Sequence, residues 1–263
     1  MANYIDKEIL CESYTNLNID LFEDKEALDK LKIDIAKYFE ERAKFLFGND
    51  ITYEIEFEDG SLIIKVKLLG SVALFVGAAI SSYGSFKDGI NQLTDDSILL
   101  AQGTNLEVVF KTKANYCDRV TFEKRTGVLG RTQELLQSLD SARTKVSDNK
   151  IPTNQTSLEF FEKGTSALLL WEGAADKLLK KVKDNNETMA CLSSGFLEEL
   201  EKFPKEAIWV NQFKANKLQN AVINADINFS SNLAAAATKY SSVLSSLKSK
   251  MKKIVDESTL KST

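Results

Sequence analysis

"ITYEIEFEDGSLIIKVKLLG", residues 51–70, decides the fold class. Tyr53, Ile55 and Phe57 alternate with Thr52, Glu54, Glu56 and Glu58 on the outward run. After Asp59–Gly60 the chain returns through Leu62, Ile64, Val66 and Leu68, with Lys65 and Lys67 on the opposite side. Alternation at period two on both sides of an Asp-Gly pair predicts a β-hairpin over 51–69. Its polar face should set Glu54 and Glu56 against Lys65 and Lys67 as cross-strand ion pairs. A two-stranded hairpin is marginal by itself, so its apolar face needs a cover, and the flanking segments supply helices.

Upstream, "DKEALDKLKIDIAKYFEERAKFLF" (24–47) places Leu28, Leu31, Ile35, Phe39 and Leu46 near one stripe, with acids in the first turn. Gly48 is suited to end that helix in a left-handed conformation. Downstream, 69 to about 102 reads as a helix weakened around Gly84, Gly89 and Gly103. Its first part, Leu68–Phe86, carries no charge. On a helix Gly70, Ala73, Gly77, Ser81 and Gly84 share one side, which predicts a close-packing face or a membrane-facing one. Four serines and three glycines dilute the stretch, so a helix buried against the hairpin is expected over a membrane span.

Residues 105–116 fit either state, because Leu106, Val108 and Phe110 alternate like a strand between helical neighbours. A helix is expected from about Thr132 to Val146, and the polar "SDNKIPTNQTS" marks a linker at 149–156. Beyond it, Phe161, Leu168, Trp171, Ala175, Leu178 and Val182 recur at helical spacing. From Lys205 to Thr263 there is neither Gly nor Pro, and Leu233, Ala237, Tyr240, Leu244, Leu247, Met251 and Ile254 step by four and three. That heptad stripe predicts an association surface. The chain is therefore expected to be α+β and predominantly α-helical. A helix–β-hairpin–helix unit (1–148) should be followed by a long antiparallel helical hairpin (157–263). In layout alone, a helical body carrying one short apolar hairpin resembles helical pore-forming toxins. That resemblance implies a hairpin that inserts into membrane, although here the hairpin's outer face is heavily charged.

Composition narrows the chemistry. Histidine is absent from all 263 residues, which removes Ser-His-Asp and Cys-His nucleophile pairs and nearly every zinc or non-haem iron site. The three cysteines, Cys11, Cys117 and Cys191, are odd in number and far apart, which fits reduced thiols. With no apolar core in the first residues, a cytoplasmic location is expected. No cofactor, no metal and no catalytic residue are expected, so the chain reads as a non-enzyme.

Charge is uneven. Residues 1–100 carry 19 acids and 10 bases, and residues 204–263 carry 4 acids and 9 bases. Ends of opposite sign favour self-association or a protein partner, and the net charge of −4 falls well short of a dedicated nucleic-acid binder. Four of the five arginines, Arg119, Arg125, Arg131 and Arg143, lie within 25 residues. Arg119, Arg125 and Arg131, with Gly127 and Gly130 just ahead of a helix, form a candidate anion-binding set. Helix-mediated association, membrane-active after a trigger in its sharper form, is the expected function. A phosphate or nucleotide sensor built on the arginine cluster is the alternative, and a histidine-independent hydrolase the third reading.

Overall fold

The computed structural model describes residues 9–58, 61–147, 154–204 and 227–260. Among these residues it is an α+β chain dominated by helices. It separates into two compact units, 1–133 and 134–263, with the division falling inside one helix.

Unit 1 is built on a four-stranded antiparallel sheet of order β2 (Thr52–Glu58), β3 (Leu62–Leu69), β1 (Ile9–Leu17) and β4 (Arg119–Arg125). The expected hairpin is there as β2 (Thr52–Glu58) and β3 (Leu62–Leu69). Its register sets Glu54 against Lys67 and Glu56 against Lys65, as the alternation requires; the Asp59–Gly60 turn lies outside the described residues. The hairpin is not a detached tongue, because β3 pairs on its other side with β1 (Ile9–Leu17), and β1 pairs with β4 (Arg119–Arg125). Leu62, Ile64, Val66 and Leu68 are all but inaccessible. That follows from an interior position, where a strand buries one whole row of its pleat.

Helices cover that row. α1 (Lys25–Phe47) begins at Asp24, whose side chain accepts the Ala27 N–H at 3.0 Å, and ends at Gly48 with φ of 83°. Its buried stripe is Leu28, Leu31, Ile35, Phe39, Ala43 and Phe47, so Phe47 takes the core position expected of Leu46. Phe39 meets Tyr53 of β2 with ring centroids 5.8 Å apart. The single helix expected over 69–102 is two. α2 (Val72–Tyr83) stops at Gly84, in the left-handed region at φ 79°, and Ser85 caps α3 (Phe86–Thr112) by accepting the Asp88 N–H. α3 packs on β1 and β4 and also against α1 and α2. Residues 105–112 belong to α3, which resolves their ambiguity: Leu106 and Phe110 are one turn apart on its exposed side, and Val108 faces the core.

α4 (Gly127–Ser147) crosses the division between the units. It starts a full turn before the expected Thr132, so Gly127–Gly130 is helix, not loop. Unit 2 holds the rest of α4 with α5 (Asn154–Lys181), α6 (Asn186–Glu201) and α7 (Ile227–Leu260). Residues 148–153 of the expected linker region lie outside the described residues, and 154–156 already belong to α5. The first long helix expected here is interrupted at 182–185, where Asn185 caps α6 by accepting the Thr188 N–H at 2.9 Å. α7 packs against both α5 and α6, giving a helical bundle where a two-helix hairpin was expected.

Candidate functional surfaces

The sheet face turned away from the helices is a charge ladder. Register aligns Glu54, Lys67, Glu12 and Arg125 across the four strands, and Glu56, Lys65, Tyr14 and Glu123 in the next row. Lys67 pairs with Glu54 and Glu56, Lys65 with Glu58, and Arg125 with both Glu12 and Glu123. The hydrogen bond from Lys65 to Glu58 holds the lysine pKa above its ordinary value. Glu12 is only 2% exposed, since it sits on an interior strand between longer side chains. Burial there is tolerated because Arg125 donates to its carboxylate. The Arg125 guanidinium also lies 4.5 Å from the Tyr14 ring centroid.

This arrangement disperses the candidate anion set. Arg125 is engaged by two carboxylates, and Arg119 stands at the other end of β4, 5.8 Å from the ring centroids of Tyr116 and Phe122. Six residue steps along an extended strand separate them by about 20 Å. Arg131 is on the exposed side of α4. Arg143, in unit 2, bridges to Asp140 at 2.8 Å and Glu199 at 3.7 Å. The two glycines serve packing. Gly127 has φ of 52°, and a Cβ there would collide with the Ile9 carbonyl oxygen. At Gly130 a Cβ would collide with the Thr126 side chain.

The small-residue stripe faces outward. Gly77, Ser81 and Gly84 are exposed, and a Cβ on Gly77 would meet nothing within 4 Å, whereas Val72, Phe75, Val76 and Ala79 are the buried side of α2. Gly70 precedes the helix and lies against Phe75, and Ala73 is half-buried. The close α2–α3 approach is made instead at Gly89, where a Cβ would stand 3.1 Å from that of Ala79. No helix among the described residues is long and apolar enough to cross a membrane.

The heptad stripe of α7 is used inside unit 2. Leu233, Tyr240, Leu244, Leu247 and Met251 are buried, and Ala237 and Ile254 are half-buried at its border. Phe161 of α5 meets Tyr240 at 5.6 Å. The stripe expected to recruit another chain is therefore the seam of this chain's own bundle.

Apolar surface is exposed elsewhere. Leu99, Leu106 and Phe110 are 62%, 56% and 74% exposed, and steps of seven and four put them on one side of α3. Ile33 and Phe45 on α1 are exposed as well, and an Asp34–Lys111 ion pair of 3.0 Å ties α1 to the last turn of α3. A separate shallow groove of about 460 Å³ is lined by Lys32 and Ala36 of α1 and by Tyr53, Ile55 and Phe57 of β2. Tyr53, Ile55 and Phe57 form the apolar face that the alternation predicts, and Ala36, a small residue, leaves the groove open on the α1 side.

No group of three or more Cys, Asp or Glu side chains among the described residues is placed to hold a metal ion. Comparison with protein-family models, with curated proteins and with solved structures returns no match to this chain.

Proposed function

We propose that this chain is a non-catalytic protein that acts by helix-mediated association, and that unit 1 presents the surface. The observation that carries the reading is the stripe of Leu99, Leu106 and Phe110 on α3, held open to solvent. Grouped exposure of large apolar side chains marks an interaction face far more often than scattered single residues do. The absence of histidine from the sequence and the engagement of Arg125 by Glu12 and Glu123 favour association over hydrolysis or anion sensing.

The test is a Leu106→Glu/Phe110→Glu double variant. Sedimentation velocity across a wide concentration range should show reversible self-association of the parent chain. The variant should associate at least about tenfold more weakly, with an unchanged thermal midpoint. A parent chain that stays monomeric, and that gives no adduct from a photoreactive side chain placed at position 106, overturns the proposal.

A further inference from the structure

Among the described residues β2 pairs only with β3, so it forms one outer edge of the sheet. An edge strand has backbone N–H and C=O groups pointing away from its one partner, and another extended chain can pair with them. Two independent features at this edge specify what such a chain would carry.

The first is the charge ladder. Reading outward from β4, the polar face bears Arg125 with Glu123, then Glu12, then Lys67 and Lys65, then Glu54, Glu56 and Glu58. Sign alternates over β1, β3 and β2, and the edge ends on three acids. Their side chains remain 44%, 44% and 46% exposed beyond the lysines that hold them. A carboxylate offers about four lone-pair positions and accepts from both flanks, so the next strand in this series is a basic one. The second feature is the groove on the opposite face. Tyr53, Ile55 and Phe57 form its floor, with Lys32 and Ala36 on the α1 side. Side chains of an added strand that point to the helical layer lie in line with those three residues.

We propose that the outer edge of β2, with the groove beside α1, docks an extended segment of a partner protein in which basic and apolar residues alternate. A second copy of this chain fits the edge poorly. Pairing β2 with itself about Ile55 sets Glu54 against Glu56, and like charges placed opposite each other destabilise a pair. β4 offers Thr121, Glu123 and Arg125 to the polar face, and that arginine is already held by Glu12 and Glu123. The site is separate from the exposed face of α3, and its test reads out independently of self-association.

The probe is a capped, fluorophore-labelled nonapeptide of alternating lysine and valine, titrated against the full chain, with a glutamate-for-lysine peptide as control. The lysine peptide should bind saturably and weaken as salt rises. The glutamate peptide should bind at least about tenfold more weakly. Amide exchange should show new protection at Thr52–Glu58 and none at Arg119–Arg125. Ala36→Phe, which fills the groove from the helix side, should weaken binding by about tenfold, and Glu54→Gln/Glu58→Gln should flatten the salt dependence. If either variant fails to fold, the exchange map on the parent chain still decides. Absence of saturable binding, equal affinity for both peptides, or protection appearing on β4 each overturns the proposal.

Discussion

Where β1 meets α3 in unit 1, the buried hydrogen bonds come from short side chains; in unit 2 two long-range ones ride on large rings. Between β1 and α3, Ser13 and Thr15 both donate to Asn105 Oδ1, at 2.7 and 2.6 Å, and Asn105 Nδ2 donates to the Glu123 carbonyl at 3.1 Å. Cys11 lies in the same row, beside Ser97. In the bundle, Trp171 Nε1 donates to the Leu135 carbonyl at 3.1 Å and Tyr240 donates to that of Pro204 at 3.0 Å. Both units thus bind distant elements through hydrogen bonds, but the volume accompanying each bond differs several-fold. The β1–α3 contact adds directional pairing to its packing, whereas Trp171 and Tyr240 add a polar tip to filled space.

The largest test of that contrast is in unit 2. Trp171 is 1% exposed and meets Phe196 edge-on, at 5.5 Å and 88°. Trp171→Ala should destabilise the bundle by about 3–5 kcal/mol. Trp171→Phe keeps most of the volume and loses only the bond to the Leu135 carbonyl, which retains its helical donor, so about 1 kcal/mol is expected. Urea unfolding followed by far-ultraviolet dichroism, with amide exchange in α5 and α6, measures both. Equal losses would break the claim that volume dominates there.

Asn105 provides the converse. Asn105→Ala strands two hydroxyls and one carbonyl, at about 2–3 kcal/mol in sum. Asn105→Leu restores the volume but none of the bonds, so it should cost as much as alanine. A leucine variant near parent stability would show that unit 1, too, is held by packing.

The same contrast explains what could be foreseen from sequence. The hairpin was legible because its two faces differ in chemistry, Glu and Lys on one and Tyr, Ile, Phe, Leu and Val on the other. β1 was not, because its core-facing row is Cys11, Ser13 and Thr15 and its other row includes the buried Glu12. An interior strand with polar residues on both faces leaves no alternation to read. β4 was hidden for a related reason: an edge strand with four charges in seven residues looks like a loop. The stripe of α7 was legible as a stripe, but a heptad pattern fixes only that a partner is present, and the partner was the chain's own α5 and α6. The pairing of the edge acids with Lys65 and Lys67 is legible in the alternation itself. Their place in a ladder that ends on acid emerged only with β1 and β4.

Alkaline pH acts on both cores, through different groups. Burial pushes the Cys11 thiol from 9.0 up to about 12, against hydrogen bonds from the Leu68 backbone and Ser97. The unfolded chain releases this proton near 9, whereas the folded chain keeps it until about 12. Over that interval the folded state binds more protons, so stability falls as pH rises, by about 1.4 kcal/mol per pH unit for this group. Burial also raises Cys191, to about 11, and raises Tyr240 of the bundle. Cys11→Ala should therefore flatten the alkaline slope for unit 1 amides and leave that of unit 2. Towards a disulfide reagent the exposed Cys117 should react first, Cys191 more slowly, and Cys11 only on unfolding.

The smallest effect concerns ion pairs, where the units again differ. Lys250 of α7 reaches Glu172 and Asp176 of α5 at 2.8 and 2.7 Å, but all three side chains are about a third exposed or more. Solvent screening leaves such a pair little net value, and Lys250→Ala should cost below about 1 kcal/mol. Moderate salt should erase most of that difference. Arg125, by contrast, answers a carboxylate that is 2% exposed, and salt cannot compensate a charge left buried without its partner. Measuring Lys250→Ala and Arg125→Met at low and high salt therefore sharpens the comparison: the first difference should close with salt and the second should persist. A salt-insensitive Lys250 effect would mean that the helix seam of unit 2 depends on directional pairing, as the sheet of unit 1 does.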